Sequence, residues 1–521
     1  MKIISTYAGH ESSISVYDNG KITIIELDKL TGEKYFSLGK VSAVEQSEII
    51  ELALETINVD NDFDMWINGS YHQRRNGTLE EKKMENIINY KRTVYGPGHH
   101  LCHAHSAYWQ SPFDKAYVIS SDGGGNDGVF NIYRATRRSG PLPDEQVDRF
   151  DLGTFYGLTA SIIPQVGKTT KWFFDLAGKS MALATYLDLP EQKELKDAVR
   201  QYYTGTGSQM ITKYFNLSKK WKDHNMTMSN AVCEDPITID NERVGYKIAK
   251  ANQECFEEKF ENVMTDRQYN IGNCDDNVVL VGGCALNVVN NQKIKDRGFN
   301  TYVPPNPSDS GISLGALFWY LHLAGIDIPK QDWKFSGIPL IENKKFRKKR
   351  KTPIKKLASM IQDGAILGIV EGNMEVGPRA LGHRSIICDP SVKGIKDKLN
   401  ADVKHREFYR PFAPIVLEEH LDQYFEREDW SNLYTMSYAI KAKVEFESKF
   451  SAACHVDGTA RVQVCDDIES TVYKLLEEVG TPLLNTSFND NGKPIISNVE
   501  DAYMMLPSLD GIVVNGVLIT K

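Results

Sequence analysis

The run KAYVISSDGGGNDGVFNIY, residues 115–133, holds a β-rich stretch that ends at Asp122 and passes straight into three glycines. Apolar residues between Ala116 and Ile119 predict a strand, and Gly123, Gly124 and Gly125 predict a turn. Glycines in such a turn let backbone N–H groups approach a phosphate closely, and a carboxylate at Asp122 can hold a cation or orient a water. Two further turns share the design. NVVLVGGCALN (277–287) is a strand followed by Gly282, Gly283 and a helix, a shape that packs on a flat ligand such as a nucleobase. PPNPSDSGISLGA (304–316) is a loop that presents Asp309 just before a helix opening at Gly311. At the N-terminus KIISTYAGHESS puts His10, Glu11 and Ser12 in a turn between strands, and DNGK (18–21) predicts a tight hairpin.

The chain has 521 residues, more than one hydrophobic core can serve, so two or three domains are expected. Ordinary apolar and charged fractions argue against disorder. No apolar run is long enough for a membrane span, and the first residues lack a signal-peptide core. Eight scattered cysteines without a C-x-x-C pair suit a reduced, cytoplasmic protein. Net charge is -8, so the molecule as a whole does not attract polyanions. KKFRKKRK (344–351), followed by Lys355 and Lys356, is the local exception. It reads either as a solvated interdomain linker or as a phosphate-backbone patch, for which nucleic acid is the partner, through 344–356.

Helical periodicity falls at about 40–58, 103–110, 176–203, 243–264 and 311–324. Strands alternating with helices predict an α/β layered fold. A composition break near residue 340 separates residues 1–340 from a second α/β unit, residues 341–521, which opens with PIKKLASMIQDG and AILGIVEGN and closes with TPLLNTSFND and GIVVNGVLIT. A lone Gly-Gly turn is often a plain connection. Three of them with the N-terminal turn resemble the actin, sugar-kinase and heat-shock ATPase layout.

Four of the twelve histidines lie in GHHLCHAHSAY (98–108). If the helix starts near His99, then His99 and His103 share a face. That spacing is a common metal geometry, but taken alone it is more often a solvated helix start with hydrogen-bonded core histidines. Cys102 falls on the opposite side, His105 reads as structural, and His100 as a neighbour of phosphates or acceptor. In the second unit EGNMEVGPRALGHRSIICDP carries Arg379 and Arg384, and LNADVKHREFYRPFAPIV carries Lys404, Arg406 and Arg410. HVDGTARVQ adds His455, Asp457 and Arg461, and LLNTSFNDNGKPI adds Asn485, Ser487 and Asn489. Salt bridges explain one or two such arginines; five cations in two turns point to a bound anion.

The three glycine turns together with GHHLCHAHSAY, GPRALGHRSI, YRPFAPIV, HVDGTARVQ and NTSFNDNGKPI resemble the O-carbamoyltransferases of antibiotic and nodulation-factor biosynthesis, over essentially the whole chain. The resemblance implies an actin-like ATPase-fold (ASKHA) large domain, similar to the tRNA threonylcarbamoyl-transfer protein, and a C-terminal YrdC-like α/β domain. It implies ATP-dependent carbamoyl transfer. Carbamoyl phosphate and ATP form carbamoyl-adenylate in the small domain, and an acceptor hydroxyl attacks it in the large one. The acceptor would be a natural product, a sugar or the hydroxymethyl group of a nucleobase such as 5-hydroxymethylcytosine. Carried over, His99, His103 and Asp309 would hold iron(II) or another divalent metal. Gly123, Gly124, Gly125, Gly282, Gly283, Asn287 and Gly311 would bind ATP with its magnesium. Arg379, Arg384, Lys404, Arg406, Arg410 and Ser487 would bind carbamoyl phosphate, and His10 and Asp122 would be catalytic. The chain departs from the family at AGKSMALATYL (177–187), at His10-Glu11 and at Gly382-His383-Arg384, which puts the acceptor pocket in question more than the carbamoyl chemistry. Other readings are a threonylcarbamoyl-type transferase acting on tRNA adenosine, a non-catalytic ATP-binding scaffold, or a sugar kinase.

Overall fold

The computed structural model describes residues 1–69, 87–146, 151–167, 170–186, 193–203, 242–265, 277–340, 350–426 and 431–521. β1 (Lys2–Tyr7), β2 (Ser13–Asp18) and β3 (Lys21–Glu26) form an antiparallel meander. Its second turn needs φ > 0 at two residues, and Asn19 at 49° and Gly20 at 83° supply it. β4 (Met65–Asn68) and β5 (Thr93–Tyr95) add in parallel beyond β1, giving the order β3-β2-β1-β4-β5.

The second sheet repeats this plan. β6 (Lys115–Ser121), β7 (Phe130–Thr136) and β8 (Gly140–Gln146) form the meander, while β9 (Asn277–Val281) and β10 (Asn300–Tyr302) add in parallel beyond β6. The order β10-β9-β6-β7-β8 is the same topology with the same strand directions. Each sheet's last strand leads into a helix, His99–Gln110 after β5 and Ile312–Leu323 after β10. The two helices pack closely because Gly315 lies on the backbone of Cys102, where a side chain would overlap the Cys102 carbonyl. Cys102 therefore faces apolar packing, as its position on the helix predicts. The 176–203 periodicity resolves into the helices Phe173–Ala184 and Lys193–Tyr203, with Pro190 between them in the chain.

The C-terminal part holds a seven-stranded mixed sheet, β16-β13-β17-β12-β11-β18-β19. Its strands are β11 (Leu367–Val370), β12 (Arg384–Cys388), β13 (Ala413–Val416), β16 (Gln463–Val464), β17 (Leu483–Ser487), β18 (Gly511–Val514) and β19 (Val517–Ile519). A short ladder, β14 (Ile440–Lys441) with β15 (Thr459–Ala460), stands apart. Successive residues of β18 serve opposite cores. Ile512 and Val514 pack with Leu399 and Val499, and Val513 packs with Leu357 and Leu475. Burial on both faces is why GIVV and LGIV read as continuous apolar runs instead of alternating ones.

The two parts share apolar packing. Trp66 and Ile4 lie in one cluster with Met374, Ala380 and Ile495, and Leu280 lies in another with Val416 and Phe446. A polar clamp fixes their relation. The Glu26 carboxylate accepts the Gly377 N–H at 2.9 Å, and Lys29 Nζ donates to the carbonyls of Gly377 at 2.7 Å and Glu375 at 3.0 Å. Gly377 has φ +83°, and a side chain there would overlap the Pro305 carbonyl. Gly377→Ala is therefore expected to cost about 2 kcal/mol or more, because both the backbone and the space are wrong for it. Denaturant midpoints measure this, and an unchanged midpoint would contradict the clamp. Most of KKFRKKRK lies outside the described residues; Arg350, Lys351, Lys355 and Lys356 are exposed.

Candidate active site

The helix begins at His99, with Gly98 as a cap residue that offers no side chain. The caps come from the glycine loop instead. Asn126 Oδ1 accepts the His99 N–H at 2.8 Å, and the Asp127 carboxylate accepts those of His100 at 2.9 Å and Leu101 at 3.3 Å. This binds the helix N-terminus to the turn after β6 and aims His99 and His103 at Asp122.

His99, His103, Asp122 and Asp309 present one ligand atom each, all within 4.8 Å of one another. His103 Nε2 lies 3.1 Å from His99 Nε2, 3.3 Å from Asp122 Oδ2 and 3.4 Å from Asp309 Oδ1. His99 Nε2 lies 3.4 Å from Asp309 Oδ1. One proton on His103 Nε2 cannot satisfy three partners. Four ligands at bonds of about 2.1 Å to a common cation stand roughly 3.4 Å apart, which these separations match. Two imidazoles and two carboxylates suit a divalent transition metal. Asp122 thus joins the His99, His103 and Asp309 set, and its oxygens also accept the N–H groups of Gly123 at 2.6 Å and Gly283 at 2.8 Å. Burial opposes the charged form of His103, but hydrogen bonds to Asp122 and Asp309 outweigh it and lift its pKa to about 9. Burial likewise opposes charge on Asp309, yet His10, His99 and His103 hold it well below the usual carboxylate range.

His10 Nε2 stands 3.2 Å from Asp309 Oδ2, and its ring stacks on Phe174 with centroids 4.5 Å apart. Tyr7 Oη donates to the same Asp309 oxygen at 2.5 Å. The contributions are topologically matched. His10 and Asp122 follow the first strand of their respective sheets, whereas the histidine pair and Asp309 follow the last.

A cavity of about 430 Å³ opens from this cluster and reaches the C-terminal part. Its far wall carries Arg379, Arg406, Arg410, Arg461 and Ser487. Burial and Arg410 lower the Arg379 pKa to about 10, and burial with Arg379, Arg406 and Arg410 pushes Arg461 well down. Guanidinium groups crowded this way repel one another and call for a polyanion. Eight non-glycine residues have positive φ among those described, and four are asparagines, which tolerate it. The others are Glu11, Tyr35 and Met436, which line this cavity, and His405 beside Arg406. Tyr35 is held there by its neighbours. Ser12 N–H bonds the Phe36 carbonyl at 3.0 Å, Leu38 N–H bonds Ser12 Oγ at 2.8 Å, and Tyr35 Oη donates to Asp175 at 2.8 Å. Nothing in the GEKYFSL stretch signals this wall, because its role depends on contacts distant in sequence.

Several expected residues sit elsewhere. Arg384 is buried away from the cavity, and its guanidinium donates to the carbonyls of Glu371 at 2.5 Å, His383 at 3.0 Å and Gly372 at 3.2 Å. It braces its own loop. Lys404, presented by the π-helical turn Leu399–Val403, donates to the Ser487 and Asn489 carbonyls at 2.8 and 2.7 Å and anchors that loop. Among the glycines, Gly123 and Gly283 line the cavity with Asn287, while Gly124, Gly125, Gly282 and Gly311 do not. A side chain at Gly125 would overlap the His100 ring, and one at Gly282 the Ser121 carbonyl. His100 is fully buried between Ser120 Oγ at 2.7 Å and the Gly128 carbonyl at 2.9 Å, so it shapes the glycine loop. His105 accepts the Trp109 indole N–H at 3.2 Å in a structural contact.

His383 stacks on Phe335 at 3.7 Å, with Nδ1 bonded to the Asn373 carbonyl at 2.6 Å and Nε2 to Asp467 at 2.9 Å. Burial disfavours its charge, but Asp467 and its neighbours raise its pKa overall, while the bond to His383 lowers that of Asp467. The pair therefore stabilises fully between the unfolded carboxylate range and the unfolded histidine value of about 6.5, and the benefit is lost as pH rises through the raised histidine pKa. His383→Asn is expected to flatten the decline in Tm between pH 6 and 9; a parallel profile for both proteins would refute the assignment.

One cavity thus meets His10 and the two carboxylates of the His/Asp cluster, Asp122 and Asp309, as well as four arginines of the C-terminal part. The chain belongs to the carbamoyltransferase family: the profile described as carbamoyltransferase N-terminus matches residues 6–318, and carbamoyltransferase C-terminus matches 358–521. It is 29% identical over 456 residues to nodulation protein NolNO of Sinorhizobium fredii, covering 81% of this chain and 63% of that protein. It is 30% identical over 458 residues to NolO of Bradyrhizobium diazoefficiens, covering 81% of this chain and 78% of that one. A 3'-hydroxymethylcephem-O-carbamoyltransferase of Amycolatopsis lactamdurans is 33% identical over 242 residues, 44% of this chain and 45% of that one. A solved structure of full-length HypF in the phosphate- and nucleotide-bound form aligns at TM-score 0.37 and 14% identity, covering 63% of this chain and 56% of that one. No helix among the described residues is long and apolar enough to cross a membrane.

Proposed function

We propose that the protein is an ATP-dependent O-carbamoyltransferase whose two half-reactions face one cavity. The observation that carries this is the shared cavity itself, with His10 and the cluster carboxylates Asp122 and Asp309 on one wall and four arginines on the other. Residues 341–521 would form carbamoyl-adenylate and residues 1–340 would transfer the carbamoyl group. The repeated strand order of the two N-terminal sheets supports an actin-like (ASKHA) large domain, and the YrdC-like relation of the small domain rests on the resemblance.

Attack on the α-phosphorus of ATP needs a carbamate oxygen. Water must therefore first release inorganic phosphate from carbamoyl phosphate, and the carbamate then displaces pyrophosphate. Arg379, Arg406, Arg410 and Arg461 would hold the phosphates and neutralise charge as it develops. In the transfer step the acceptor oxygen bonds the carbonyl carbon, AMP leaves, and His10 takes the hydroxyl proton. A divalent metal held by His99, His103, Asp122 and Asp309 would polarise the reacting oxygens, and the donor set suits iron(II). Six described cysteines are buried and unpaired, in keeping with a cytoplasmic setting.

The test incubates the protein with carbamoyl phosphate, ATP and acceptors spanning hydroxymethyl nucleosides, sugars and small alcohols. Carbamoylated products and carbamoyl-phosphate-dependent pyrophosphate release are expected. Activity with bicarbonate and threonine instead would support a threonylcarbamoyl-type enzyme, and ATP binding without pyrophosphate release a scaffold.

A further inference from the structure

The helix Phe173–Ala184 runs between the two walls of the cavity. Near its start Phe174 stacks on His10, and Lys179 Nζ meets Glu407 Oε1 at 2.6 Å, with both side chains largely buried. Its far end is tied to the C-terminal part by His455, whose Nε2 bonds the Ala182 carbonyl at 3.0 Å and whose Nδ1 lies 3.3 Å from Thr185 Oγ1. Tyr409 Oη donates to the Gln165 carbonyl at 3.1 Å in the same interface.

Glu407 stands between two cavity arginines in the chain, Arg406 and Arg410. Arg410 donates its backbone N–H to the Glu407 carbonyl at 3.2 Å, while its Nη1 stays 4.0 Å from Glu407 Oε2. That oxygen is buried with no hydrogen-bond partner. Arg406 is held by Asn400 Oδ1 at 2.9 Å and lies over the Phe412 ring at 4.3 Å. A buried carboxylate within one small side-chain movement of Arg410 competes directly with any anion for that guanidinium. Lys179 is the group that engages it.

We propose that Lys179 is a positioning residue: by holding the Glu407 carboxylate it keeps Arg410 available to the phosphates, and it couples the His10 wall to the anion wall. The inference rests on the reading of the arginine cluster as the phosphate site. A lysine that merely packs the interface and one that restrains a competing carboxylate predict different double variants.

Binding of inorganic pyrophosphate, and then of carbamoyl phosphate, to the full-length protein is measured by calorimetry. Lys179→Met is expected to weaken both by roughly tenfold or more, and adding Glu407→Gln to return affinity to within about threefold of the starting protein. Glu407→Gln alone is expected to bind as tightly as the unmodified protein or more so. A double variant as weak as Lys179→Met, or no loss in Lys179→Met, overturns the proposal. If Lys179→Met does not fold, Glu407→Gln alone decides, because weakened binding would show that the carboxylate does not compete. Failure of the unmodified protein to bind pyrophosphate would instead remove the phosphate-site reading on which the proposal stands.

Discussion

His103→Ala is expected to purify without bound metal and to lose carbamoyl transfer, while carbamoyl-phosphate-dependent pyrophosphate release persists. His103 Nε2 is the hub of the cluster, within 3.4 Å of ligand atoms from His99, Asp122 and Asp309. Its removal takes away one of four donors and leaves the half-buried Asp122 and the buried Asp309 facing each other without the imidazole between them. Metal affinity should fall by at least about a hundredfold, since even outer partners of metal ligands contribute up to that much. The guanidinium wall is supplied by the C-terminal part, so anion activation should survive. Elemental analysis reads the first effect and a pyrophosphate assay the second. Stoichiometric metal in the folded variant would refute the ligand assignment. Loss of pyrophosphate release would mean that the half-reactions are not separable.

Arg461→Met is expected to move stability and function in opposite directions. Arg461 is half-buried, and its charge is opposed by that burial and by Arg379, Arg406 and Arg410. Removing one charge relieves that repulsion, so the Tm of ligand-free protein should rise by about 1–3 °C. Pyrophosphate and carbamoyl phosphate should bind roughly a hundredfold more weakly or worse, because a desolvated guanidinium–phosphate contact is lost. A mainly structural arginine would lower both quantities. Scanning calorimetry and titration of the same preparation separate the cases, and a lower Tm with unchanged binding would refute the anion role.

The arginines show how far residue type and spacing carry. Arg379, Arg384, Lys404, Arg406, Arg410 and Arg461 all stand in Gly/Pro-rich or polar segments beside apolar runs, so the sequence marks them as a group. It cannot rank them. Arg384 lies on the first residue of β12, where its guanidinium reaches the carbonyls of its own loop, and Lys404 is enclosed by the Ser487–Asn489 turn. Arg461 reaches the cavity from the segment between β15 and β16, a position no local pattern distinguishes from the other two. The wall of Tyr35, Phe174 and Asp175 is invisible in the chain for the same reason: its left-handed tyrosine is imposed by bonds between Ser12 and residues 36–38.

The sequence by itself determined the strands that lead into the glycine turns, those turns and the i, i+4 histidine pair, because apolar runs, φ > 0 turns and helical pitch are local properties. It also determined which residue types were available to hold a metal and a polyanion. Only the tertiary structure decided that Asp122 and Asp309 meet that pair, since the two sheets repeat one topology without a visible sequence repeat. Strand order is set by packing between distant segments, and it is this order that brings the ends of β1, β6 and their partner helices to one point.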